Sequence, residues 1–190
     1  MKNIAIFGSG NGTNAENIIK YFESHQNIYV KIIVSEKQNA KIIDIAKKWK
    51  LDTLIIQDKF INSTEDILKK TNYYNINFIV LAGFLLKIPE KFIDSFPKSI
   101  INIHPSLLPK FGGKGMYGLN VHKAVLDANE KKSGITIHYV NKKYDDGKVI
   151  FQAKCPVFKN DSPKLLAKRV QKLEHQFYPL IIEKIINHGN

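Results

Sequence analysis

Short apolar runs alternate along the chain with longer segments in which apolar residues recur every three or four positions. The run Ile4-Ala5-Ile6-Phe7 ends at a glycine, which predicts a buried strand. The segment 14–24 has helical spacing, and Thr13 or Asn14 is a suitable N-cap for that helix. Strand and helix signals repeat about every 25 residues, which predicts βαβ units around a parallel sheet.

The same pattern continues through the rest of the chain. It predicts further strands at 28–34, 54–56, 77–81 and 99–104, and further helices at 40–49, from 63 or 64 onward, and at 118–129. Segments 134–140 and 149–157 are strands with no useful helix between them, so the sheet should end in an antiparallel or meandering part. A last helix over 162–187 should have an inward face made of Leu165, Leu166, Val170, Leu173, Phe177 and Leu180.

These elements together predict one fold class. We expect a single-domain, Rossmann-like α/β fold with a mostly parallel twisted sheet of about seven strands and helices on both faces. The whole of 1–190 forms that domain in this prediction.

The charge adds a hypothesis about partners. The formal net charge is +12, yet Arg169 is the only arginine among the 29 basic residues. A basic chain favours nucleic acid, a membrane surface or small anions as partners. Specific recognition of phosphates and bases favours the arginine fork, so we predict no nucleic-acid partner and an anionic small-molecule substrate.

Apolar runs such as 78–82 are far shorter than a membrane span, so we expect no membrane partner. The apolar run after Met1 is too short for the core of a signal peptide. Cys155 is the single cysteine and cannot form an internal disulfide, which is typical of a reducing compartment. These observations predict a cytoplasmic protein.

Three alternating glycines, Gly8, Gly10 and Gly12, separate the first strand from the first helix. Backbone N–H groups at such a helix N-terminus can hold a phosphate, and Thr13 and Asn14 would add side-chain contacts. The spacing matches neither the G-x-G-x-x-G nor the P-loop pattern. At this point the loop can be interpreted either as a phosphate-binding loop or as a tight turn without a ligand.

Asn102 and His104 lie two positions apart at the end of the fifth predicted strand, just before Pro105. Alternation places both side chains on one face, about 7 Å apart along the strand. Ligands of open α/β sheets bind at the carboxyl ends of the strands. A catalytic imidazole and an ordinary core histidine both fit this position.

Several motifs carry a family resemblance over essentially the full chain. Segments 81–84, 102–109 and 134–140 resemble those of the folate-dependent formyltransferases. Segments 10–14 and 174–179 are similar to those of the members that act on phosphoribosylglycinamide. The resemblance implies transfer of a formyl group from 10-formyltetrahydrofolate, the co-substrate, to the amine of 5-phosphoribosylglycinamide in de novo purine synthesis.

The resemblance also implies catalytic roles. Asn102 matches the amide that hydrogen-bonds the formyl oxygen, and His104 matches the imidazole that stabilises the oxyanion and handles protons. Asp145 matches the carboxylate that raises the pKa of that histidine. Asp146 is a second candidate for this carboxylate, and the register with Gly147 favours Asp145.

Two sets of binding residues follow from the same resemblance. Gly12, Thr13 and Asn14 match the loop that holds the substrate phosphate, and Gln171 and Glu174 match positions at the ribosyl-phosphate end, with Glu174 assigned to ribose hydroxyls. The folate-binding set is Lys59, Phe84, Leu85, Leu86, Lys87, Ile88, Asn102, Val140 and Asn141. No residues have metal-ligand spacing, so we predict no metal.

The resemblance divides the domain into a phosphate-binding βαβ half, 1–100, and a catalytic and folate-closing half, 101–190. Segment 110–118 is longer than in many relatives, and it is either a flexible loop over the substrate or an inert insertion. His138 either borders the site or has a structural role. For the oligomeric state, a monomer and a homodimer are both possible.

Three alternative functions remain. Two lie within the superfamily: methionyl-tRNA formyltransferase and formyltetrahydrofolate hydrolase. Typical members of these two carry an extra domain, for which 190 residues leave no room. The third is a non-enzymatic nucleotide- or nucleic-acid-binding module, against which the set of Asn102, His104 and Asp145 argues.

Overall fold

The computed structural model of the protein describes residues 1–56 and 62–188. These residues form seven strands and six helices. The strands are β1 Lys2–Phe7, β2 Ile28–Ser35, β3 Asp52–Ile55, β4 Ile76–Leu81, β5 Ile100–His104, β6 Lys132–Tyr139 and β7 Val149–Pro156. The helices are α1 Thr13–Phe22, α2 Lys41–Lys48, α3 Thr64–Tyr73, α4 Glu90–Ser95, α5 Leu119–Asp127 and α6 Pro163–His188.

The strands form one sheet in the order β3-β2-β1-β4-β5-β6-β7. The five strands from β3 to β5 are parallel, whereas β6 and β7 run antiparallel to their neighbours. The predicted fold class and the antiparallel end of the sheet are therefore confirmed. The strand order reverses between β1 and β4, and such a switch point opens a crevice at the carboxyl ends of the strands.

Alternation along the strands divides the core between two faces. Ile4 and Ile6 of β1 pack in one cluster with apolar residues of α1, α2, α5 and α6. Ala5 and Phe7 pack in the other cluster with Ile67 of α3 and Phe92 of α4. Both faces of the central strands are thus covered by helices, as parallel sheets require.

Helix α6 is fixed to the sheet where the crevice opens. Tyr178 is fully buried, and its hydroxyl donates to the carbonyl of Leu81 at 2.9 Å, with the carbonyl of Ile101 at 3.4 Å. These carbonyls belong to the neighbouring strands β4 and β5. The tyrosine therefore sets the distance between α6 and the carboxyl ends of the two strands.

Helix α1 begins differently from the prediction. Gly12, in the left-handed region at φ 71°, is the N-cap, and no side chain caps the helix. Thr13 and Asn14 lie inside the first turn of the helix instead, and their side chains contact α6. Thr13 Oγ1 accepts from Gln171 at 3.0 Å, and Asn14 Nδ2 donates to Glu174 at 2.8 Å.

One helix was missed by the prediction, and the buried face of another differs from it. Helix α4 was not predicted, because six residues contain too few apolar positions to display a helical period. Leu165 and Leu180 are not inward-facing, with exposures of 51% and 45%. The buried stripe of α6 runs through Leu166 and Ile182, and a shift of one position turns a side chain by about 100° around the helix.

None of the helices within residues 1–56 and 62–188 combines the length and apolar character needed to cross a bilayer.

Gly134 provides a test of the close approach between β6 and β7. A Cβ at this position would lie 1.9 Å from the carbonyl oxygen of Ala153 on β7, which is backbone and cannot rotate away. We expect Gly134→Ala to lower the free energy of unfolding by about 3 kcal/mol, through overpacking that forces β6 and β7 apart. Chemical denaturation measures the change.

Gly10→Ala is the matched control, because a Cβ at Gly10 meets no atom within 4 Å. Equal unfolding free energies for the two variants would contradict the close approach of β6 and β7.

Candidate active site

A cavity of about 730 Å³ opens at the carboxyl ends of β1, β4 and β5. Every predicted site residue that the structure describes lines it. They are Gly12, Thr13, Asn14, Phe84, Leu85, Leu86, Lys87, Ile88, Asn102, His104, Val140, Asn141, Asp145, Gln171 and Glu174. The remaining candidate, Lys59, lies outside the described residues.

The glycine loop can approach α2 closely only because position 12 lacks a side chain. A Cβ on Gly12 would lie 2.6 Å from Ile45 Cδ1 and 2.9 Å from Ile42 Cα. The loop is also tied to α2 by the Ile42 N–H, which donates to the carbonyl of Gly10 at 3.3 Å. The first N–H groups of α1 have no intrahelical acceptors and lie beside the cavity, where they suit an anion.

The opposite wall of this end of the cavity comes from α6. The Glu174 carboxylate accepts from Asn14 Nδ2, and burial raises the pKa of Glu174 more than this hydrogen bond lowers it. Asn14 Oδ1 is buried and has no hydrogen-bond partner within the described part of the chain. Two acceptors therefore stand side by side, and together they suit a ligand that carries hydroxyl donors.

The catalytic candidates meet at the end of β5. Alternation brings Asn102 and His104 to the same face, and Asp145 reaches them from the loop after β6. His104 Nδ1 lies 3.4 Å from Asp145 Oδ2, and Asn102 Nδ2 lies 3.4 Å from Asp145 Oδ1. The sequence-predicted trio is thus one contiguous cluster.

The orientation of the His104 ring follows from its other nitrogen. Nε2 lies 2.8 Å from the carbonyl oxygen of Phe111. A carbonyl can only accept, so Nε2 carries a hydrogen. Nδ1 is therefore the nitrogen that faces Asp145 and is available for proton transfer.

Burial decides the direction in which the pKa of His104 shifts. Burial lowers the pKa, while the Asp145 charge and the Phe111 carbonyl raise it, and the net pKa is below the ordinary value of 6.5. Asp145 thus acts on this pKa in the direction that the resemblance implies, but its effect is smaller than that of burial. The imidazole is 4% exposed, and this desolvation outweighs the carboxylate.

Asp145 is held in place by the backbone. It adopts a positive φ of 52°, and the Gly113 N–H donates to its Oδ2 at 2.9 Å. Burial raises the pKa of Asp145, but hydrogen bonds and the nearby histidines lower it by more in total. Asp146 is exposed and accepts from Asn141, so Asp145 is the carboxylate of the cluster.

Segment 110–118 belongs to the site. Phe111 and Gly113 contact His104 and Asp145 through their backbones, and residues 113–118 line the cavity. These contacts argue against an inert insertion.

Two histidines in the cavity received no definite role from the sequence. His138 lies opposite Asn102 in the β5–β6 pairing, with Nε2 3.1 Å from Asn102 Nδ2. His122 is buried on α5, and burial lowers its pKa to about 4, so it is neutral at pH 7. The helical spacing between His122 and Val125 could have indicated that His122 is buried. No such local signal exists for His138, because its contact depends on the register between two strands.

Four lysines also line the cavity: Lys37, Lys87, Lys114 and Lys143. Within the described ranges, none of them forms an ion pair with a carboxylate. The acidic side chains of the cavity wall are Asp145 and Glu174. The cavity therefore suits ligands that carry negative charge.

Among the residues that the structure describes, no group of three His, Cys, Asp or Glu side chains could hold a metal ion.

Comparison with known proteins gives a consistent result. A family model described as formyl transferase matches residues 2–182. The chain is 31% identical to phosphoribosylglycinamide formyltransferase of Bacillus subtilis, with 100% of this chain and 97% of the relative aligned. It is 38% identical to the chloroplastic phosphoribosylglycinamide formyltransferase of Arabidopsis thaliana, with 97% of this chain aligned.

The chain spans 65% of the Arabidopsis relative and 61% of a second chloroplastic relative, from Vigna unguiculata. Among solved structures, phosphoribosylglycinamide formyltransferase from Bacillus halodurans superposes with a TM-score of 0.89 at 30% identity. That superposition covers 97% of this chain and 95% of the other. On the family match and these relatives, the chain belongs to the formyl transferase family.

Proposed function

We propose that the protein transfers the formyl group of 10-formyltetrahydrofolate to the amine of 5-phosphoribosylglycinamide, a step of de novo purine synthesis. The observation that carries the proposal is the cluster of Asn102, His104 and Asp145 in a cavity that also receives an anion-binding helix N-terminus. Relatives that bear this activity in their names support it. The partners are then two small-molecule substrates.

The acceptor binds, in this proposal, at the end of the cavity between α1 and α6. The backbone N–H groups of Gly12, Thr13 and Asn14 hold its phosphate at the positive end of the helix. Glu174 and Gln171 contact the ribosyl end, where the buried acceptor atoms of Glu174 and Asn14 suit ribose hydroxyls.

The folate binds along the segment 84–88, beside Val140 and Asn141. Phe84 and Leu86 pack against the core, and Ile88 is buried, so this wall is apolar and supported from behind. An apolar wall with backbone groups suits a flat heteroaromatic ring. Lys59 remains the candidate cation for the glutamate tail of the folate.

The reaction forms one bond and breaks one. The acceptor amine attacks the formyl carbon, and the carbonyl oxygen becomes an oxyanion in a tetrahedral intermediate. The bond from that carbon to N10 then breaks, the amine gives up a proton, and N10 receives one. Asn102 and a protonated His104 stabilise the oxyanion, and Asp145 stabilises the charge on His104.

The two halves of the domain contribute differently. The half 1–100 carries the glycine loop and the 84–88 wall, and the half 101–190 carries the catalytic cluster and the residues that close over the folate. This division is part of the proposal, as is a single domain over 1–190.

A formyl-transfer assay with the purified chain tests the function. We expect formylated acceptor and tetrahydrofolate to appear in equal amounts when both substrates are present. Formate release without acceptor formylation would indicate the hydrolase instead. Ligand binding without turnover would indicate a binding module. Sedimentation of the same sample distinguishes the monomer from the homodimer.

His104→Ala removes the ring that faces the transition state. We expect a loss in kcat of about 100-fold, because a preorganised donor to the oxyanion is lost. His188→Ala is the matched control, since His188 is exposed at the end of α6. Thermal denaturation checks that both variants fold, and an unchanged kcat for His104→Ala contradicts the assignment.

Asp145→Asn removes the charge that raises the pKa of His104. We expect a lower kcat, and we expect the His104 inflection in the pH profile of kcat/KM to move to lower pH. The direction follows because loss of a nearby anion disfavours the protonated ring. Asp146→Asn is the control. An inflection that stays in place would mean that Asp145 does not act on His104.

Asn14→Asp places a carboxylate at the phosphate end of the cavity, beside the Glu174 carboxylate. We expect the KM for phosphoribosylglycinamide to rise by ~10-fold or more through charge repulsion, while the KM for the folate changes little. Asn129→Asp makes the same charge change on an exposed turn and serves as the control. A rise confined to the folate KM would mean that the acceptor and folate subsites are assigned the wrong way round.

A further inference from the structure

Ser9 joins three loops at the carboxyl edge of the sheet. It lies in the glycine loop after β1, it lines the cavity, and it is 3% exposed. Its hydroxyl lies 2.6 Å from Glu36 Oε2, in the loop after β2, and 2.9 Å from the backbone nitrogen of Leu85, in the loop after β4. The hydroxyl therefore bridges the glycine loop, to which the proposed function assigns the acceptor phosphate, and the 84–88 wall, to which it assigns the folate.

The two hydrogen bonds of this hydroxyl have fixed directions. A carboxylate can only accept, so the Ser9 hydroxyl hydrogen points at Glu36. The backbone N–H of Leu85 can only donate, so it meets a lone pair of the Ser9 oxygen. Glu36 thus orients the hydroxyl so that its lone pair faces the 84–88 wall.

The position of the 84–88 wall depends on this contact. Residues 84–88 lie in neither a helix nor a strand, so no ladder of regular hydrogen bonds fixes their backbone. The Leu85 N–H is bound to the Ser9 oxygen, and just before it the Gly83 carbonyl accepts from the Ser9 N–H at 3.1 Å. Ser9 therefore holds the start of the wall through its backbone and its side chain together.

Each subsite also has anchors that do not involve the hydroxyl. The Gly10 carbonyl accepts from the Ile42 N–H of α2 at 3.3 Å, which holds the glycine loop. The wall is held by buried Ile88 and by Phe84, whose ring packs edge-on against Phe7 with 5.5 Å between the ring centroids. Loss of the hydroxyl should therefore leave both binding surfaces formed and change the distance between them.

We propose that Ser9 is a positioning residue for formyl transfer, whose hydroxyl sets the distance between the acceptor subsite and the folate subsite. The reaction needs the acceptor amine within bonding reach of the formyl carbon, and different loops hold the two molecules. A misplacement of about 1 Å between reacting groups can cost ~100-fold in rate. A hydrogen bond that joins the two loops therefore contributes more to kcat than to the binding of either substrate. This inference deepens the proposed function and rests on it.

Ser9→Ala removes the hydroxyl and keeps the backbone N–H. We expect kcat to fall by ~10-fold while the KM values for both substrates stay within about twofold, because both surfaces persist and only their separation changes. Ser133→Ala on β6 is the matched control and should keep the kcat of the wild type. Ser133 is 2% exposed, and its hydroxyl has no hydrogen-bond partner in the described part of the chain. An unchanged kcat for Ser9→Ala, or a loss confined to one KM, would overturn the proposal.

Glu36 supplies a double-mutant cycle on kcat. Glu36→Ala leaves the hydroxyl free to rotate away from Leu85, so we expect kcat to fall by ~5-fold, and Glu36→Gln, which keeps an acceptor oxygen, should restore most of this loss. In the Ser9→Ala background, Glu36→Ala should lower kcat by less than about twofold, because its target is absent. Losses that multiply would show that Glu36 acts independently of Ser9, and would overturn the orienting role of Glu36.

Amide hydrogen exchange tests the contact without a substrate. In the unliganded, ¹⁵N-labelled full chain, we expect the Leu85 amide to exchange ~10-fold or more faster in Ser9→Ala than in the wild type, because its acceptor is lost. Ser133→Ala should leave the Leu85 rate unchanged. Equal Leu85 rates in Ser9→Ala and the wild type would overturn the proposal.

Thermal denaturation checks that each variant folds. Should Ser9→Ala not fold, Glu36→Ala replaces it in the kinetic and exchange measurements, with changes in the same directions expected. If the wild-type chain transfers no formyl group, the proposed function fails, and this role of Ser9 fails with it. If the wild type is active and Ser9→Ala is equally active, the inference about Ser9 fails alone.

Discussion

The candidate active site depends on one requirement, which is that the buried carboxylate of Asp145 must find hydrogen-bond donors. Its side chain is 12% exposed, and an unpaired charge at this depth costs several kcal/mol. Asn102 Nδ2 on β5 and the Gly113 N–H in the loop after β5 donate to it, and the imidazoles of His104 on β5 and His138 on β6 lie 3.4 and 3.7 Å from its oxygens. Satisfying this charge therefore holds two strands and two loops in a single arrangement.

The two ends of the cavity are connected by hydrogen bonds that need no ligand. Ser9, in the glycine loop, accepts from the Leu85 N–H at 2.9 Å and donates to Glu36 at 2.6 Å. Its own N–H donates to the carbonyl of Gly83 at 3.1 Å. On the other side, α6 contacts the glycine loop and the strand ends together. The segments that line the cavity are thus preorganised relative to one another, which lowers the entropic cost of ordering them around a ligand.

Much of this architecture could be predicted from local pattern. Strand alternation was enough to place Asn102 and His104 on one face, and the alternating glycines were enough to place a turn after β1. The rest depends on long-range contacts. The sequence does not show that the side chains of Thr13 and Asn14 contact α6, or that His138 stands opposite Asn102. It also does not show how deeply His104 is buried, and this burial outweighs the effect of Asp145 on the pKa of His104.

At three glycines the backbone lies so close to its neighbours that a side chain does not fit, which limits how far the amino-acid composition of the chain can change. At Gly12, Gly134 and Gly147, any side chain would bring a carbon within 3 Å of neighbouring backbone, and at Gly147 within 1.7 Å of the Tyr139 carbonyl oxygen. The exposed positions that carry most of the 28 lysines have no such limit. Mutational pressure that changes the amino-acid usage of the protein can therefore alter its surface charge widely, while the backbone that presents Asp145 stays the same.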